Sequence, residues 1–432
     1  MTADSSGSVP DIVVVGLGYV GLPLALRLSK SFPVRGLDVD QTRIAELREG
    51  HDRTHEIGRA PLLAALESGA LRLEDDGAAC RGAQVYIVTV PTPVDSANRP
   101  DLTLVERACA AVGAMLDAAA QPVVVFESTV YPGVTEDVCG PILAKVSGLE
   151  RGRDFFLGYS PERINPGDRE HAIDRITKVV AGENPAITER LCAIYDKVTS
   201  GGVFAARSIR VAEAAKVIEN AQRDINIAFI NEVAQITHAQ GISIWDVLEA
   251  ARTKWNFLPF QPGLVGGHCI GVDPYYLSHF AERSGHAPAV ILAGRSINDS
   301  MAAWLADRLD AALAPGSRVL VLGLTFKENV PDLRNSKVAE LVALLAARGH
   351  RLSVHDPLAD PDEAQHEYGI DLLPALPEER HDAVILAVPH AEYLALPDAR
   401  LAALLAEGGL FADIKNAVPG LEGAAGLKRW RL

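Results

Sequence analysis

The chain has 432 residues, of which 48% are hydrophobic, so it can form two or three domains with large apolar cores. Its net charge of -15, without any Lys/Arg cluster, argues against a nucleic-acid-binding surface. No apolar run is long enough to span a membrane, and residues 1–8 lack the features of a signal peptide, so we expect a cytoplasmic protein. Five scattered cysteines predict neither disulfides nor a zinc site, and we expect no metal.

The first predicted elements are typical of a dinucleotide-binding unit. A β-branched run at residues 11–15 predicts a buried strand, and residues 22–28 predict the helix that follows it. The glycine fingerprint between them can turn the chain tightly at its first glycine, admit a pyrophosphate at the second and pack helix against strand at the third. The predicted cofactor contacts in this loop are Gly16, Gly18, Tyr19, Val20 and Gly21.

Asp38 ends the second predicted strand, where a carboxylate can accept hydrogen bonds from both hydroxyls of the adenosine ribose. It would repel a 2′-phosphate, which favours NAD over NADP, although the nearby Arg43 leaves NADP open. Strands and helices then alternate to about residue 203, which predicts a doubly wound parallel sheet. Thr92 and Thr129 lie in turns after two of these strands and are further candidates for contact with the cofactor.

The second half of the chain changes pattern twice. Residues 209–314 lack strand signals and contain helical spacing from 211 to 240, whereas residues 318–324 and 382–388 echo strands of the first unit. We therefore predict an α/β fold in which two Rossmann-like doubly wound parallel-sheet domains are joined by a long central helix in an all-α middle domain. The predicted domains are residues 1–208, 209–314 and 315–432.

Cys269 lies in the glycine-flanked stretch Gly266-Gly267-His268-Cys269, shortly before a helix predicted to begin at Asp273. The positive end of that helix could lower the thiol pKa, and the glycines would give a substrate room to approach. A thiolate could trap an aldehyde and allow a second hydride to leave, so that an alcohol becomes an acid. The local sequence leaves a buried structural cysteine equally open, and it favours a structural role for His268.

Four further residues are weaker candidates on local grounds. Lys216 and Asn220 are four apart on the predicted long helix, so they share a face that could stabilise negative charge, but a solvated helix surface is the simpler explanation of this spacing. Glu162 follows the predicted strand 155–159, at the edge where such sheets bind ligands, but surface carboxylates are far commoner than catalytic ones. Thr129 could instead cap the next helix.

Taken in order, five motifs resemble those of the UDP-glucose/GDP-mannose dehydrogenase family over nearly the whole chain. They are the glycine fingerprint, Ser160-Pro161-Glu162-Arg163, Lys216 with Asn220, the Cys269 stretch and Asp273-Pro274. Residues 159–168 and 265–277 are more similar to the bacterial dehydrogenases of UDP-N-acetylhexosamines than to the UDP-glucose enzymes. The resemblance implies an NAD-dependent enzyme, expected to be a homodimer, whose product is used for surface polysaccharide biosynthesis.

The resemblance also implies roles for the candidate residues. Cys269 would be the nucleophile, Lys216 and Asn220 would support the oxyanion, and Asp273 would order them and form an ion pair with Lys216. Glu162 would accept a proton from the water that hydrolyses the thioester, with Thr129 helping to position that water.

The predicted substrate pocket is shared between the middle and C-terminal domains. The resemblance implies that a loop containing Phe260 and Gly263 covers the UDP-sugar, and that Lys327 and Arg334 supply positive charge to its diphosphate. Arg295 is a further candidate, contributed across a dimer, and a surface cation remains an alternative for each of these basic residues. The chain departs from the UDP-glucose type at residues 328–330, where mapped contacts are open.

We therefore predict a four-electron oxidation at C6 of a UDP-sugar, at the expense of two NAD. UDP-N-acetylglucosamine or UDP-N-acetylgalactosamine is the expected substrate, with UDP-N-acetylmannosamine and UDP-glucose as alternatives. Two alternative functions belong to other classes of protein. One is a two-electron dehydrogenase of the 3-hydroxyacid type, and the other is a non-catalytic regulator that binds nucleotide sugars.

Overall fold

The structure is a computed structural model that describes residues 9–163, 173–267, 270–421 and 426–432. Within these ranges the chain forms two compact units. The first comprises Met1–Glu219 and Tyr275–His286, and the second comprises Asn220–Pro274 and Ala287–Leu432. The predicted three-domain boundaries stay a prediction, because this division follows compactness and falls inside helices.

A sheet of eight strands forms the centre of the first unit, counted over the described residues. The strands are β1 (Ile12–Val15), β2 (Val34–Leu37), β3 (Leu71–Glu74), β4 (Val85–Val88), β5 (Val123–Phe126), β6 (Phe156–Tyr159), β7 (Lys178–Gly182) and β8 (Val203–Ala205). They lie in the order β3-β2-β1-β4-β5-β6-β7-β8. The central strands β1, β4 and β5 are apolar and buried at every residue, as expected of parallel strands covered on both faces.

The direction of β7 differs from the prediction. The predicted doubly wound parallel sheet is confirmed from β3 to β6, but β7 pairs antiparallel with β6, with Tyr159 opposite Ala181. An apolar run has the same pattern in either direction, so the sequence carries no signal for this reversal. The reversal places Lys178, the first residue of β7, at the edge of the sheet where β5 and β6 end.

The helices of this unit cover the sheet, and two of them, α2 and α6, begin at a polar side-chain cap. They are α1 (Gly21–Leu28), α2 (Gln41–Arg48), α3 (Arg59–Glu67), α4 (Thr103–Met115), α5 (Gly140–Ser147) and α6 (Pro185–Tyr195), with a π-helix at Thr135–Cys139 before α5. Asp40 caps α2 by accepting a hydrogen bond from the N–H of Arg43. Asn184 caps α6 in the same way, and Pro185 follows it at the first helical position, which suits a residue without an N–H.

Helices replace strands in the middle of the described chain, as predicted. They are α7 (Ile209–Ala239), α8 (Ile244–Arg252), α9 (Asp273–Arg283) and α10 (Ala289–Ala312). Helix α7 begins two residues before the predicted start and continues through Lys216 and Asn220. In the second unit, α10 packs against α7 at Gly294, where a Cβ would lie at the ordinary contact distance of 3.4 Å from the side chain of Ile225.

The second unit contains the other sheet, which has five strands in the described part of the chain. Its elements are β9 (Arg318–Leu322), α11 (Lys337–Ala347), β10 (Arg351–His355), α12 (Pro361–Tyr368), β11 (His381–Leu386), α13 (Ala391–Leu394), α14 (Asp398–Ala403), β12 (Leu405–Asp413) and β13 (Lys428–Arg431). The strands are all parallel in the order β10-β9-β11-β12-β13. Apolar side chains of α7, α8 and α10 pack into the same core as this sheet.

The predicted similarity between the two sheets extends to the backbone geometry after their first strands. Gly16 and Gly323 follow the first strand of each sheet with φ of +93° and +90°, and each donates its N–H to the last residue of the neighbouring strand. An aspartate follows that neighbouring strand in both cases. Asp38 accepts a hydrogen bond from Leu17 N, and Asp356 accepts them from Leu324 N and Thr325 N.

Candidate active site

The glycine fingerprint has the geometry of a dinucleotide loop. A Cβ on Gly21 would lie 1.8 Å from the carbonyl oxygen of Gly16, so only glycine allows α1 to start so close to β1. A Cβ on Gly18 would meet no protein atom within 4 Å, which leaves open space beside the backbone between Gly16 and the start of α1. The loop therefore has both the close packing and the clearance that a pyrophosphate at a helix N-terminus requires.

Asp38 and Arg43 hold opposite sides of the Leu17 residue. The Leu17 N–H donates to Asp38 Oδ2 at 2.7 Å, and Arg43 Nε donates to the Leu17 carbonyl oxygen at 3.0 Å. Arg43 is also buried and forms an ion pair with Asp52 at 2.6 Å. Its guanidinium is thus used to shape the loop, which removes the sequence-based argument for NADP that rested on this residue.

Three threonines lie after strands of the first sheet. Thr89, which sequence reasoning missed, follows β4 and donates from Oγ1 to the carbonyl oxygen of Gly16 at 2.7 Å. The predicted residues Thr92 and Thr129 are buried and half-buried, respectively, in the segments after β4 and β5. A threonine directly after a strand next to β1 was the available signal for Thr89. Contacts of Thr92 and Thr129 with a cofactor stay predictions.

Within the first unit, Glu162 and Lys216 are brought together from segments 54 residues apart in sequence. Lys216 Nζ of α7 lies 3.8 Å from Glu162 Oε2, which follows β6 by three residues, and both side chains are buried. At this distance the ammonium and the carboxylate attract each other, and each is buried beside a group of opposite charge. This pair can stabilise negative charge and accept a proton at one place.

Within the second unit, Asn220 and Asp273 are also brought together. Asn220 Nδ2 of α7 donates to Asp273 Oδ2 at 2.5 Å, and Asp273 is the buried first residue of α9. The helix that was predicted to begin at Asp273 is confirmed. The predicted ion pair between Asp273 and Lys216 stays a prediction.

Cys269 and His268 lie outside the described residues, as do residues 164–168 of the motif that contains Glu162. The glycines before Cys269 are described, and they pack closely against the second unit's own residues. A Cβ on Gly266 would lie 2.6 Å from the Asn335 carbonyl oxygen, and one on Gly267 would lie 2.8 Å from the Phe326 ring. These glycines are therefore required for packing, a reason that differs from the predicted room for a substrate.

The loop before the cysteine is fixed by an asparagine that sequence reasoning missed. Asn231 of α7 is fully buried, accepts the Gly263 N–H at 2.8 Å and donates to the Gly263 carbonyl oxygen at 3.1 Å. Phe260 is partly buried against the core of the second unit. The loop is thus ordered by α7, whereas the predicted contacts of Phe260 and Gly263 with a substrate stay predictions.

Arg295 is buried in a polar network that links α7 to α10. Its Nη1 lies 2.6 Å from Asp224 Oδ1, and Asn298 donates to the same oxygen at 2.7 Å. Asn298 Oδ1 accepts from Asn231 Nδ2 at 2.9 Å, which connects the network to the Gly263 loop. At 2% exposure Arg295 is part of the interior of the unit, and its predicted role toward substrate stays a prediction.

The loops after β9 hold the remaining basic candidates. Lys327 is half-buried, and Arg334 forms an ion pair with Asp332. In the divergent segment 328–330, the N–H of Asn329 donates to Nδ1 of the buried His390 at 3.0 Å. This hydrogen bond fixes the backbone of Asn329 within the segment that departs from the UDP-glucose type. Diphosphate contacts of Lys327 and Arg334 stay predictions.

Comparison with known proteins decides the family. Three family models match in order, described as the NAD binding domain at residues 10–199, the central domain at 210–300 and the UDP binding domain at 320–420 of the UDP-glucose/GDP-mannose dehydrogenase family. The chain belongs to this family. It is an NAD-dependent nucleotide-sugar dehydrogenase, and the predicted cofactor, fold class and family are confirmed.

Members of the family with known names match over most of the chain. UDP-N-acetyl-D-glucosamine 6-dehydrogenase of Pseudomonas aeruginosa is 51% identical over 88% of this chain and 91% of its own. The protein of the same name from Salmonella typhi is 44% identical over 94% and 96%. Among solved structures, the UDP-D-ManNAc dehydrogenase of Pyrococcus horikoshii superposes with a TM-score of 0.86 at 28% identity and covers 98% of both chains.

The described residues contain neither a membrane-spanning helix nor a cluster of metal ligands. No helix in these ranges is both long and apolar enough to cross a membrane. In the same ranges, no three or more His, Cys, Asp and Glu side chains are grouped so that they could hold a metal ion.

Proposed function

We propose that this enzyme is a UDP-N-acetyl-D-glucosamine 6-dehydrogenase that supplies a uronic acid for surface polysaccharide biosynthesis. The observation that carries the substrate assignment is the 51% and 44% identity, over nearly the whole chain, to two enzymes of that name. The UDP-D-ManNAc dehydrogenase of Pyrococcus horikoshii is more distant, at 28% identity. UDP-N-acetylgalactosamine, UDP-N-acetylmannosamine and UDP-glucose are the competing substrates.

The proposed reaction converts the C6 alcohol and one water into a carboxylate in two oxidations. The glycine loop with Asp38 would hold NAD, which would supply the hydride acceptor for both oxidations. The Cys269 thiolate adds to the aldehyde carbon to form a thiohemiacetal, whose oxidation gives a thioester. Water then adds to the thioester carbonyl carbon, its proton passes to Glu162, and the carbon–sulfur bond breaks to return the thiolate.

The described contacts support separate roles for the two pairs of residues. The ammonium of Lys216, buried beside Glu162, would stabilise the oxygen that becomes negative at each stage. Asp273 accepts a hydrogen bond from Asn220 and thereby orients its amide, leaving the second N–H of that amide for the substrate oxygen. Thr129 would help to position the water.

A steady-state comparison of the four UDP-sugars tests the substrate assignment. We expect kcat/KM for UDP-N-acetylglucosamine to exceed that for UDP-glucose by at least about tenfold, which is the discrimination that one well-placed polar contact supplies. A tenfold preference for UDP-glucose would overturn the assignment. A preference for one of the other two acetamido sugars would correct only the stereochemistry.

Counting NADH per sugar tests the thiol route. Two NADH per uronate are expected, whereas a two-electron dehydrogenase of the 3-hydroxyacid type gives one. Cys269→Ser should abolish acid formation, and Cys192→Ser is the matched control, because Cys192 is a half-buried free cysteine on α6. Undiminished acid formation by Cys269→Ser would overturn the thiol route, and absence of NADH formation with all four UDP-sugars would favour the non-catalytic regulator.

We also propose a cytoplasmic homodimer that does not bind nucleic acid. The four cysteines among the described residues are free, which suits a reducing compartment. The net charge of -15 opposes binding to phosphate backbones. Two exposed apolar side chains on α7, Phe229 and Ile236, support the dimer.

A further inference from the structure

A buried ion pair lies beneath the loops that carry Glu162 and Thr129. Lys178 Nζ is 2.9 Å from Glu127 Oε2, and the two side chains are 1% and 0% exposed. Tyr195 donates from its hydroxyl to the other carboxylate oxygen at 2.6 Å, and its ring lies 5.1 Å from Lys178 Nζ. Burial raises the pKa of Tyr195, so the phenol stays a hydrogen-bond donor. Desolvation makes such a pair expensive, and a pair of apolar residues would often be as stable.

The pair connects the ends of two neighbouring strands. Glu127 directly follows β5 and lies two residues before Thr129. Lys178 begins the antiparallel strand β7 and also donates to the carbonyl oxygen of Pro161, at 3.4 Å, which directly precedes Glu162. A third link joins the same loops, because the Tyr159 hydroxyl donates to the Ser128 carbonyl oxygen at 3.2 Å.

We propose that Lys178 and Glu127 are positioning residues for thioester hydrolysis, in which they fix the Glu162 carboxylate relative to Thr129. The inference rests on the proposed function, since it assumes that Glu162 accepts the proton of the hydrolytic water. Lys178 and Glu127 exchange no proton with the substrate. Their charge–charge attraction holds the Glu127 and Pro161 backbones at one separation, and a water bound between Glu162 and Thr129 depends on that separation.

This role predicts an effect on one step only. Glu162 acts on water, so a small displacement of its loop should slow hydrolysis and leave both oxidations unaffected. If the ion pair only stabilised the fold, its removal would lower the rates of all the steps together or of none of them. Accumulation of the thioester therefore separates positioning from structural support.

The test uses a neutral replacement of both partners. Lys178→Met matches the length of the lysine stem, and Glu127→Gln keeps an oxygen to accept from Tyr195, so the double variant leaves no unpaired buried charge. We expect its Tm to stay within about 3 °C of the parent. In a rapid-quench experiment with UDP-N-acetylglucosamine and NAD, the burst of two NADH per site should persist. Steady-state kcat should fall at least about tenfold, and intact-mass spectrometry should find the sugar on Cys269.

The matched control is a second ion pair of the same unit, at the opposite edge of the sheet. Arg151 Nε lies 2.6 Å from Glu183 Oε1, and Glu183 directly follows β7. The double variant Arg151→Met with Glu183→Gln should show no adduct and an unchanged kcat. Folded Lys178→Met/Glu127→Gln enzyme with kcat within twofold of the parent would overturn the inference.

Glu162→Gln distinguishes failure of the inference from failure of the proposed function. If this variant accumulates the adduct and Lys178→Met/Glu127→Gln does not, only the positioning role is wrong. If Glu162→Gln turns over at the parental rate, the proposed role of Glu162 is wrong and the positioning role is overturned with it.

Discussion

Glu213 is a buried carboxylate on α7, three residues before Lys216. It is fully shielded from solvent and accepts hydrogen bonds from the N–H groups of Gly133 at 2.6 Å and Thr135 at 2.9 Å. Burial raises its pKa to about 7. These two bonds tie the helix that carries Lys216 to the turn that follows Thr129. Because its pKa is about 7, we expect Glu213 to titrate in the neutral range, close to the proposed catalytic groups.

The shifted pKa of Glu213 predicts how stability depends on pH. Because the folded pKa of about 7 lies above the ordinary value of 4.5, the folded state holds the proton more tightly than the unfolded state. The contribution of this group to stability is therefore full below pH 4.5 and is lost as the pH rises through 7, a change of about 3 kcal/mol. Urea denaturation of the parent and of Glu213→Gln at pH 5 and pH 8 measures it.

We expect the loss of stability between these two pH values to be smaller in Glu213→Gln by about 3 kcal/mol. The absolute stability of the variant should also fall, because a glutamine oxygen can accept only one of the two N–H groups in the same geometry. Glu232→Gln, at an exposed site on the same helix, should keep the parental pH dependence. The same pH dependence in the parent and in Glu213→Gln would contradict the assignment.

Single residues were predictable from the sequence where their chemistry is local. The contacts of Gly16 and Gly21 follow from spacing within one loop, and Asp38 follows from its place after β2. Lys178 and Glu127 are 51 residues apart, and no sequence signal pairs them, because an apolar run does not specify the direction of β7. The ion pair of Arg295 with Asp224 was unpredictable for a similar reason, since a basic residue on a helix gives no sign of whether an aspartate is buried opposite it.

At the scale of elements, α7 is the part of the second unit that orders the loop containing Gly263. Asn231 satisfies both backbone groups of Gly263, and its amide is itself held by Asn298 of α10. Helical spacing predicted α7 within two residues at its start, because an uninterrupted amphipathic pattern specifies a helix well. It could not predict Asn231, since a polar residue on the buried face of a helix is meaningful only once its partner loop is known.

Removing the Asn231 side chain should loosen the loop. Asn231→Ala leaves a buried N–H and carbonyl of Gly263 unpaired, which costs about 1–3 kcal/mol for each group unless the loop moves to find water. We expect KM for the UDP-sugar to rise about tenfold while the Kd for NAD stays unchanged, because the loop belongs to the second unit and the glycine fingerprint to the first.

Steady-state kinetics and NAD titration by fluorescence check the Asn231→Ala prediction. Asn226→Ala is the matched control, because Asn226 is on the same helix and its amide donates to the helix's own Gln222 carbonyl oxygen. Equal KM values for Asn231→Ala and Asn226→Ala would show that the loop does not depend on the asparagine.

At the scale of the whole molecule, the chain leaves apolar side chains of α7 exposed to solvent. Phe229 and Ile236 of the second unit are 58% and 59% exposed, although their helix is otherwise packed into the core of that unit. They are seven residues apart, so they lie on the same face of the helix, two turns from each other. Adjacent exposed side chains of this size favour burial against another protein surface. A second copy of the chain would cover both symmetrically, because a two-fold axis places the same face of α7 on each side.

Charges on this face should prevent the proposed dimer. We expect Phe229→Asp/Ile236→Asp to sediment as a monomer at micromolar concentration, whereas the parent sediments as a dimer, since two aspartates on each copy would be buried against two on the other. Circular dichroism should show unchanged helix content, because both side chains are exposed in the single chain. Leu394→Asp on α13, an exposed leucine at 48%, should leave the parental mass unchanged. A parent that sediments as a monomer would contradict the dimer, and a double variant that stays dimeric would place the contact surface elsewhere than on α7.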